Sequence, residues 1–125
     1  MIIKGSYLNV VDNTGGYLVQ CIQYLKKKQK SNLKVGDLVV VVIKKMVPLI
    51  ENLKVKKSDI CFGVIVRTKQ NVVRDSGIYL SNDLNGVVLL NKKYEPVGSR
   101  LVGVVFLEIE KTKYLKMMSL SKYLI

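Results

Sequence analysis

The stretch Ile60-Cys-Phe-Gly-Val-Ile-Val66 decides the fold, because a run of mostly apolar, β-branched residues is typical of a buried strand. The surrounding segment 54–77 contains six Lys and Arg residues, but its only carboxylates are Asp59 and Asp75. Most of these cations therefore lack an internal counter-charge, and we expect an external polyanion, RNA, to neutralise them. The cations are Lys54, Lys56 and Lys57 before the run and Arg67, Lys69 and Arg74 after it.

Composition favours a folded, basic, nucleic-acid-binding module. Lys and Arg number 21 against nine Asp and Glu, which gives a net charge of +12 on 125 residues and disfavours a solitary soluble enzyme. An apolar content of 49% is too high for a disordered basic tail. The longest apolar runs have about seven residues, whereas a membrane-spanning helix needs roughly 20, so no membrane partner is expected.

The chain offers little chemistry for catalysis or metal binding. It has no His, which removes the commonest general base, and Cys21 and Cys61 are too far apart for the usual zinc spacings. We interpret both cysteines as small buried thiols. The carboxylates do not replace a catalytic His, because four aspartates stand in turn-like contexts where Asp accepts local backbone hydrogen bonds. The sequence thus predicts no catalytic residue, no metal site and no cofactor; the four aspartates are Asp12, Asp37, Asp75 and Asp83.

Short apolar segments separated by glycine-containing turns predict a single all-β domain over residues 1–125. At least six strands without a convincing helix between them indicate a closed or nearly closed antiparallel barrel, with its core at about 1–104. Several strands are apolar on both faces, so residues of about 105–125 should cover part of the outer wall as short helical turns. The covering side chains are predicted to be Leu115, Met117, Met118, Leu120 and Leu124. The predicted strands are Tyr7–Val11, Tyr17–Leu25, Leu38–Ile43, Ile60–Arg67, Ile78–Leu80, Gly86–Leu90 and Leu101–Leu107.

Three turn glycines are predicted to have a positive φ, which other residues adopt poorly. They are Gly36, Gly77 and Gly98.

Six segments in register along nearly the whole chain resemble the universal large-subunit ribosomal protein L14 family, of the bacterial and organellar type. The most diagnostic part runs from the basic Lys54-Val-Lys-Lys57 to Asn85-Gly-Val-Val-Leu89. Single segments are weak signals, but their common order and spacing are specific. The matching segments are Asn9–Gly15 with Cys21-Ile22, Val35–Asp37 with Pro48, Lys54–Lys57, Gly63–Lys69 with Ser76-Gly77, Asn85–Leu89, and Glu95–Arg100 with Lys116–Leu120.

Several positions depart from the family pattern. Asn82 stands where an aromatic residue is usual, and Pro48–Glu51 replaces a loop that is commonly basic. Val73 and Ser76 replace a second Arg and a Pro-Asp turn, and Val104 replaces a Pro after Gly103.

The resemblance implies a five-stranded Greek-key β-barrel with a projecting β-ribbon and short C-terminal helical turns. It implies a structural constituent of the large ribosomal subunit that binds large-subunit rRNA and lies at the subunit interface. The implied partners are the small-subunit rRNA, reached through an intersubunit bridge, a neighbouring protein of the L19 family, and a ribosome-silencing factor.

The residues themselves favour recognition of phosphates and RNA shape with little base readout, because 18 Lys against three Arg is a set of point charges. Lys56 and Arg67 are expected at the surface. The lysines of segment 26–30 are interpreted as a solvated loop. The alternative is a single-strand binder of the OB type, which needs aromatic stacking platforms that the scattered tyrosines do not suggest. The predicted RNA-binding residues are Lys44, Lys45, Lys54, Lys56, Lys57, Arg67, Lys69, Arg74 and Arg100.

Composition also bears on which ribosome the chain serves. It contains no Ala but 18 Lys and eight Asn, a bias that fits codons rich in A and T. We therefore predict a mitochondrial ribosome, with a plastid ribosome or the cytoplasm of an AT-rich bacterium as alternatives.

Overall fold

A computed structural model describes residues 2–24, 33–48, 54–109 and 114–125. Nine strands and one short helix lie within these ranges. The elements are β1 (Tyr7–Val10), β2 (Gly16–Tyr24), β3 (Leu38–Met46), β4 (Ile60–Arg67), β5 (Val72–Val73), β6 (Tyr79–Leu80), β7 (Gly86–Leu90), β8 (Val104–Val105), α1 (Leu115–Ser119) and β9 (Tyr123–Leu124).

Five strands close into a barrel in the order β1-β2-β3-β4-β7. The first three contacts and the β4–β7 contact are antiparallel, and the barrel closes through a parallel pairing in which Asn9 faces Gly86 and Val10 faces Val87. The predicted run Ile60–Val66 forms β4, which is paired on both sides by β3 and β7. The prediction of a five-stranded closed barrel is confirmed.

Two separate apolar cores explain why so many strands are apolar on both faces. Alternate strand residues such as Val41, Ile65 and Leu89 fill the barrel interior. Residues of the opposite parity, such as Val64 and Val88, form an outer core with the C-terminal segment. Burial of both faces stabilises the fold by about 25 cal/mol for each Å² of apolar surface removed from water.

The C-terminal cover is confirmed in most of its residues. Met117 and Met118 are buried in the outer core, and Leu120 packs against it. The prediction for Leu124 is wrong: its side chain is 45% exposed, because Leu124 lies in the small β8–β9 sheet, away from the buried face of α1. The side chain of Leu115 is outside the described residues.

The other local differences have geometric reasons. Of the predicted strand Leu101–Leu107 only β8 forms. The backbone on either side of β8 makes isolated hydrogen bonds and not a continuous ladder: Val102 N donates to Val11 O, and Phe106 N donates to Val66 O. Gly36 and Gly77 have positive φ, as predicted, but Gly98 does not. Position 98 instead excludes a side chain by space, since a Cβ there would lie 2.8 Å from Asn13 Oδ1.

A two-stranded ribbon of β5 and β6 follows β4, with Val72 opposite Leu80. Its turn residue Gly77 has open space around it. Within the described ranges, no helix has the length and apolarity to cross a membrane.

Candidate nucleic-acid interface

One end of the barrel collects the basic residues, which lie where β3 and β7 end and in the loops that precede β4 and follow β1. β3 ends at this end with Lys44 and Lys45, and β4 begins there, since Ile60 pairs with Val42. β7 also ends there, with Leu90 opposite Phe62. We call this surface the basic end; its exposed cations are Lys44, Lys45, Lys54, Lys56, Lys57, Lys92, Lys93 and Arg100.

The backbone that carries Lys54–Lys57 is fixed to the barrel by hydrogen bonds. Lys54 N donates to Thr14 O at 3.0 Å, and its Nζ donates to Val97 O at 3.4 Å. Lys56 N donates to Asp59 Oδ2 at 2.9 Å, while Val55 between the lysines is buried. The charged side chains of Lys56 and Lys57 are therefore left facing solvent on a fixed loop.

Arg100 is brought to the same end by Asn13. The Asn13 Oδ1 atom accepts from Ser99 N at 2.8 Å and from Arg100 N at 3.3 Å, and its Nδ2 donates to Ser99 Oγ at 2.8 Å. Gly98 allows this close approach. A side-chain amide thus joins the turn after β1 to the loop that presents Arg100.

Asp12 supports the same turn from below. The buried carboxylate accepts hydrogen bonds from Thr14 Oγ1 at 2.7 Å, from Thr14 N at 3.3 Å and from Leu89 N at 3.0 Å. Desolvation raises the pKa of Asp12 above its ordinary value, against the lowering effect of these hydrogen bonds. Asp12 is a structural acceptor, as its sequence context indicated.

The basic end carries little negative charge to offset its cations. Asp12 is buried, and Glu95 forms an ion pair with Lys116, with Nζ and Oε1 at 3.0 Å. Asp59 is exposed beside Lys56 and Lys57, and its carboxylate accepts from Lys56 N. Within the described residues, none of the eight cations of the basic end forms an ion pair. Such a field attracts a polyanion.

Six of the nine predicted RNA-binding residues therefore lie together at the basic end, and three lie at the opposite end of β4. An eight-residue strand is about 25 Å long, so the two groups cannot share one compact pocket. Sequence reasoning missed Lys92 and Lys93; two adjacent lysines one residue after an apolar strand were the available signal. The three residues at the opposite end are Arg67, Lys69 and Arg74.

Arg67 is not the free surface cation that the sequence predicted. Its side chain is half-buried, and Nη1 donates to Val102 O at 3.0 Å and Val104 O at 3.2 Å. Burial lowers the pKa of its guanidinium, which nevertheless stays charged at neutral pH. The expectation of a surface position is wrong, because Gly86 and Gly103 leave a channel into which the long side chain folds.

Arg74 is also engaged within the protein. Its Nε donates to Glu108 Oε1 at 2.6 Å, and its Nη2 donates to the backbone oxygen of Ile125 at 2.5 Å. Burial alone raises the pKa of Glu108, but the hydrogen bonds and charge of Arg74, with a backbone hydrogen bond, bring it below its ordinary value. Lys69, by contrast, is exposed, and its backbone N is held by Asn85 Oδ1 at 2.8 Å.

The remaining sequence predictions concern cysteines, metals and loops. Cys21 is buried and Cys61 is half-buried, and burial raises the pKa of both thiols, which makes them poor nucleophiles. No group of three or more potential metal-ligating His, Cys, Asp or Glu exists within the described ranges. Asn82 caps a local turn by donating to Leu84 O at 3.1 Å. The lysines of segment 26–30 and most of the Pro48–Glu51 loop lie outside the described residues.

Comparison with known proteins gives consistent matches over the whole chain. The family model described as "Ribosomal protein L14p/L23e" matches residues 1–125. A curated relative from Dictyostelium discoideum, "Large ribosomal subunit protein uL14m", is 56% identical over 129 aligned positions, which cover 100% of this chain and 100% of the relative.

Proposed function

The chain belongs to the ribosomal protein L14p/L23e family and is a structural constituent of the large ribosomal subunit, and we propose that it binds large-subunit rRNA through the basic end of its barrel. Family membership confirms the resemblance identified in the sequence. It also confirms that the chain is a structural component and not an enzyme.

The observation that carries the proposal is the set of exposed cations around one barrel end, none of which forms an ion pair with another described residue. Seven of the eight are lysines, whose ammonium groups suit phosphate oxygens better than base edges. The backbone of Lys54, Lys56 and Arg100 is already held by Thr14, Asp59 and Asn13, so binding costs little backbone entropy there. Recognition is thus directed at the RNA backbone and its shape.

The finer assignments extend this proposal. We place the chain at the subunit interface, where it contributes to a bridge with the small-subunit rRNA and neighbours a protein of the L19 family. A ribosome-silencing factor is a further partner. The name of the relative from Dictyostelium discoideum carries the suffix of a mitochondrial ribosomal protein, which supports a mitochondrial ribosome for this chain. Lys69 at the opposite end is a second, separate phosphate contact.

The test of rRNA binding is a comparison of two charge-matched double variants. Lys56→Gln with Lys57→Gln removes two charges at the basic end, whereas Lys34→Gln with Lys122→Gln removes two exposed charges elsewhere. Binding to a large-subunit rRNA transcript is measured at salt concentrations from about 50 to about 200 mM. Over this range counterion release makes the affinity strongly dependent on salt. We expect the first pair to weaken binding and to flatten the slope of log K against log salt by roughly 2, and the second pair to change little.

The proposal fails if Lys56→Gln with Lys57→Gln has the same affinity as the unmodified protein at every salt concentration, or if the two pairs weaken binding equally. The mitochondrial assignment is tested separately by cell fractionation. Co-sedimentation of the protein with mitochondrial large subunits supports it, and sedimentation with plastid or cytoplasmic subunits contradicts it.

A further inference from the structure

Tyr94 has a backbone conformation that large side chains rarely adopt. Its φ is +61°, in a left-handed region that favours Gly and Asn. The residue ends a tight turn after β7 that Asn91 holds together, with Tyr94 N donating to Asn91 O at 2.9 Å and Lys93 N and Glu95 N donating to Asn91 Oδ1 at 2.9 and 3.1 Å. A bulky aromatic residue in such a turn is strained, and strain of this kind concentrates at functional positions.

The turn places the Tyr94 ring against Phe62 of β4. The ring centroids are 5.3 Å apart and the planes are tilted by 47°. Phe62 is half-buried and packs on the outer core, while Tyr94 remains 43% exposed. Ile60, two residues before Phe62 on the same face of β4, is also exposed. Tyr94 is therefore a ring supported from beneath and open to solvent, within an apolar surround.

Positive charge borders this ring. Lys92 and Lys93 are exposed in the same turn and belong to the basic end. The nearest carboxylate in sequence, Glu95, forms an ion pair with Lys116, which lowers the pKa of Glu95 through a hydrogen bond and its charge, and the charge of Lys93 adds a smaller lowering. A supported aromatic ring beside exposed lysines that form no ion pair with the described residues is a combination by which proteins bind unpaired nucleotides, the ring stacking on the base and the lysines contacting phosphates.

We propose that Tyr94, supported by Phe62, stacks on an unpaired base of RNA while Lys92 and Lys93 contact the adjoining phosphates. The inference rests on the proposed rRNA-binding function and deepens it: part of the basic end selects a single-stranded nucleotide, in addition to reading the backbone. A protein partner is disfavoured here by the concentration of cations around so small an apolar area.

The test uses the full chain and two fluorescein-labelled RNA probes, a 12-nucleotide oligoadenylate and a blunt 12-base-pair duplex. Tyr94→Leu keeps an apolar side chain but removes the ring. Tyr94→Asn removes the ring and also suits the positive φ, so it separates stacking from stability. Tyr79→Leu is the matched control, because Tyr79 is an exposed tyrosine on the β5–β6 ribbon, remote from the basic end.

We expect Tyr94→Leu and Tyr94→Asn to weaken oligoadenylate binding on the order of tenfold and to leave duplex binding within about twofold. Tyr79→Leu should change neither. Tyr94→Asn should unfold at a urea concentration no lower than that of Tyr94→Leu. Because the chain contains no Trp, Tyr94→Trp adds a single tryptophan, whose emission should be quenched by unlabelled oligoadenylate and not by the unlabelled duplex.

Three results overturn the stacking proposal: unchanged oligoadenylate affinity in both Tyr94 variants, an equal loss for both probes, or normal RNA binding together with poor incorporation of the variants into subunits. The last result assigns the ring to a protein contact. Failure of the rRNA-binding function looks different, because the unmodified protein then binds neither probe.

Discussion

The side chain of Arg67 fills the space that Gly103 leaves open. A Cβ added to Gly103 would overlap Arg67 Nη1, the atom that donates to the carbonyls of Val102 and Val104. Gly86 is equally close from another side, since a Cβ there would lie 2.8 Å from Arg67 Cγ. Arg67 therefore fastens the segment before β8 to the barrel, and two glycines are needed to admit it.

Replacing Gly103 with Ala should destabilise the protein more than the same change at Gly77. Both glycines have a φ of +83°, but a Cβ at Gly77 meets nothing within 4 Å. We expect a loss of about 1 kcal/mol for Gly77→Ala from the backbone alone, and at least about twice that for Gly103→Ala. Urea unfolding measures both values. Equal losses would show that Arg67 moves aside freely.

Arg67→Met should lower the free energy of unfolding by about 1–3 kcal/mol, because it leaves the carbonyls of Val102 and Val104 without their donor. Arg100→Met is the control: its side chain is exposed, and its loss should stay within about 0.5 kcal/mol. Thermal or urea unfolding decides between them. If both variants lose a similarly small unfolding free energy, the hydrogen bonds of Arg67 do not stabilise the fold, and Arg67 behaves as a surface cation.

The sequence predicted the barrel well, because its strands depend on local apolar patterns and on turn residues whose chemistry is readable. The position of Lys54–Lys57 and Lys44–Lys45 near strand ends could be inferred in the same way, whereas their contact with RNA stays a prediction. Sequence reasoning failed for Arg67, whose channel is formed by Gly86 and Gly103, distant in sequence. It also failed for Phe62 and Tyr94, whose contact depends on the register of β4 against β7.

Asp12→Asn should destabilise the protein by about 1–3 kcal/mol, because an amide cannot accept from Leu89 N and Thr14 at both positions. Burial raises the pKa of Asp12 above its ordinary value of 3.8. At a pH just above 3.8, the Asp12 carboxyl group is therefore protonated more often in the native state than in the unfolded state. This contribution is fully present at low pH and is lost as pH rises through the native pKa.

The difference in unfolding free energy between the unmodified protein and Asp12→Asn should therefore be larger at about pH 4 than at pH 7. Asp83→Asn, an exposed aspartate, is the control and should remain within about 0.5 kcal/mol. Urea unfolding at several pH values checks the trend. A difference that grows with pH would contradict the assigned sign.

Arg74 and Glu108 should show a measurable but modest coupling. Their side chains are 26% and 27% exposed, so solvent screens the ion pair, and a double-mutant cycle with Arg74→Met and Glu108→Gln should give about 0.5–1 kcal/mol. The coupling should fall in 1 M salt. A coupling near zero at low salt would leave Arg74 available for RNA.

The parallel pairing of β1 with β7 also governs the order in which a nascent chain can mature. Asn9 can pair only after Gly86 has been synthesised. The outer core can form only later, because it includes Met117 and Met118. Until then β1 and β4 are unpaired edge strands of an incomplete sheet, and chains in this state are prone to aggregate. Contacts of such long range also make folding slow. Truncation anywhere before residue 90 should thus yield insoluble fragments and no smaller barrel.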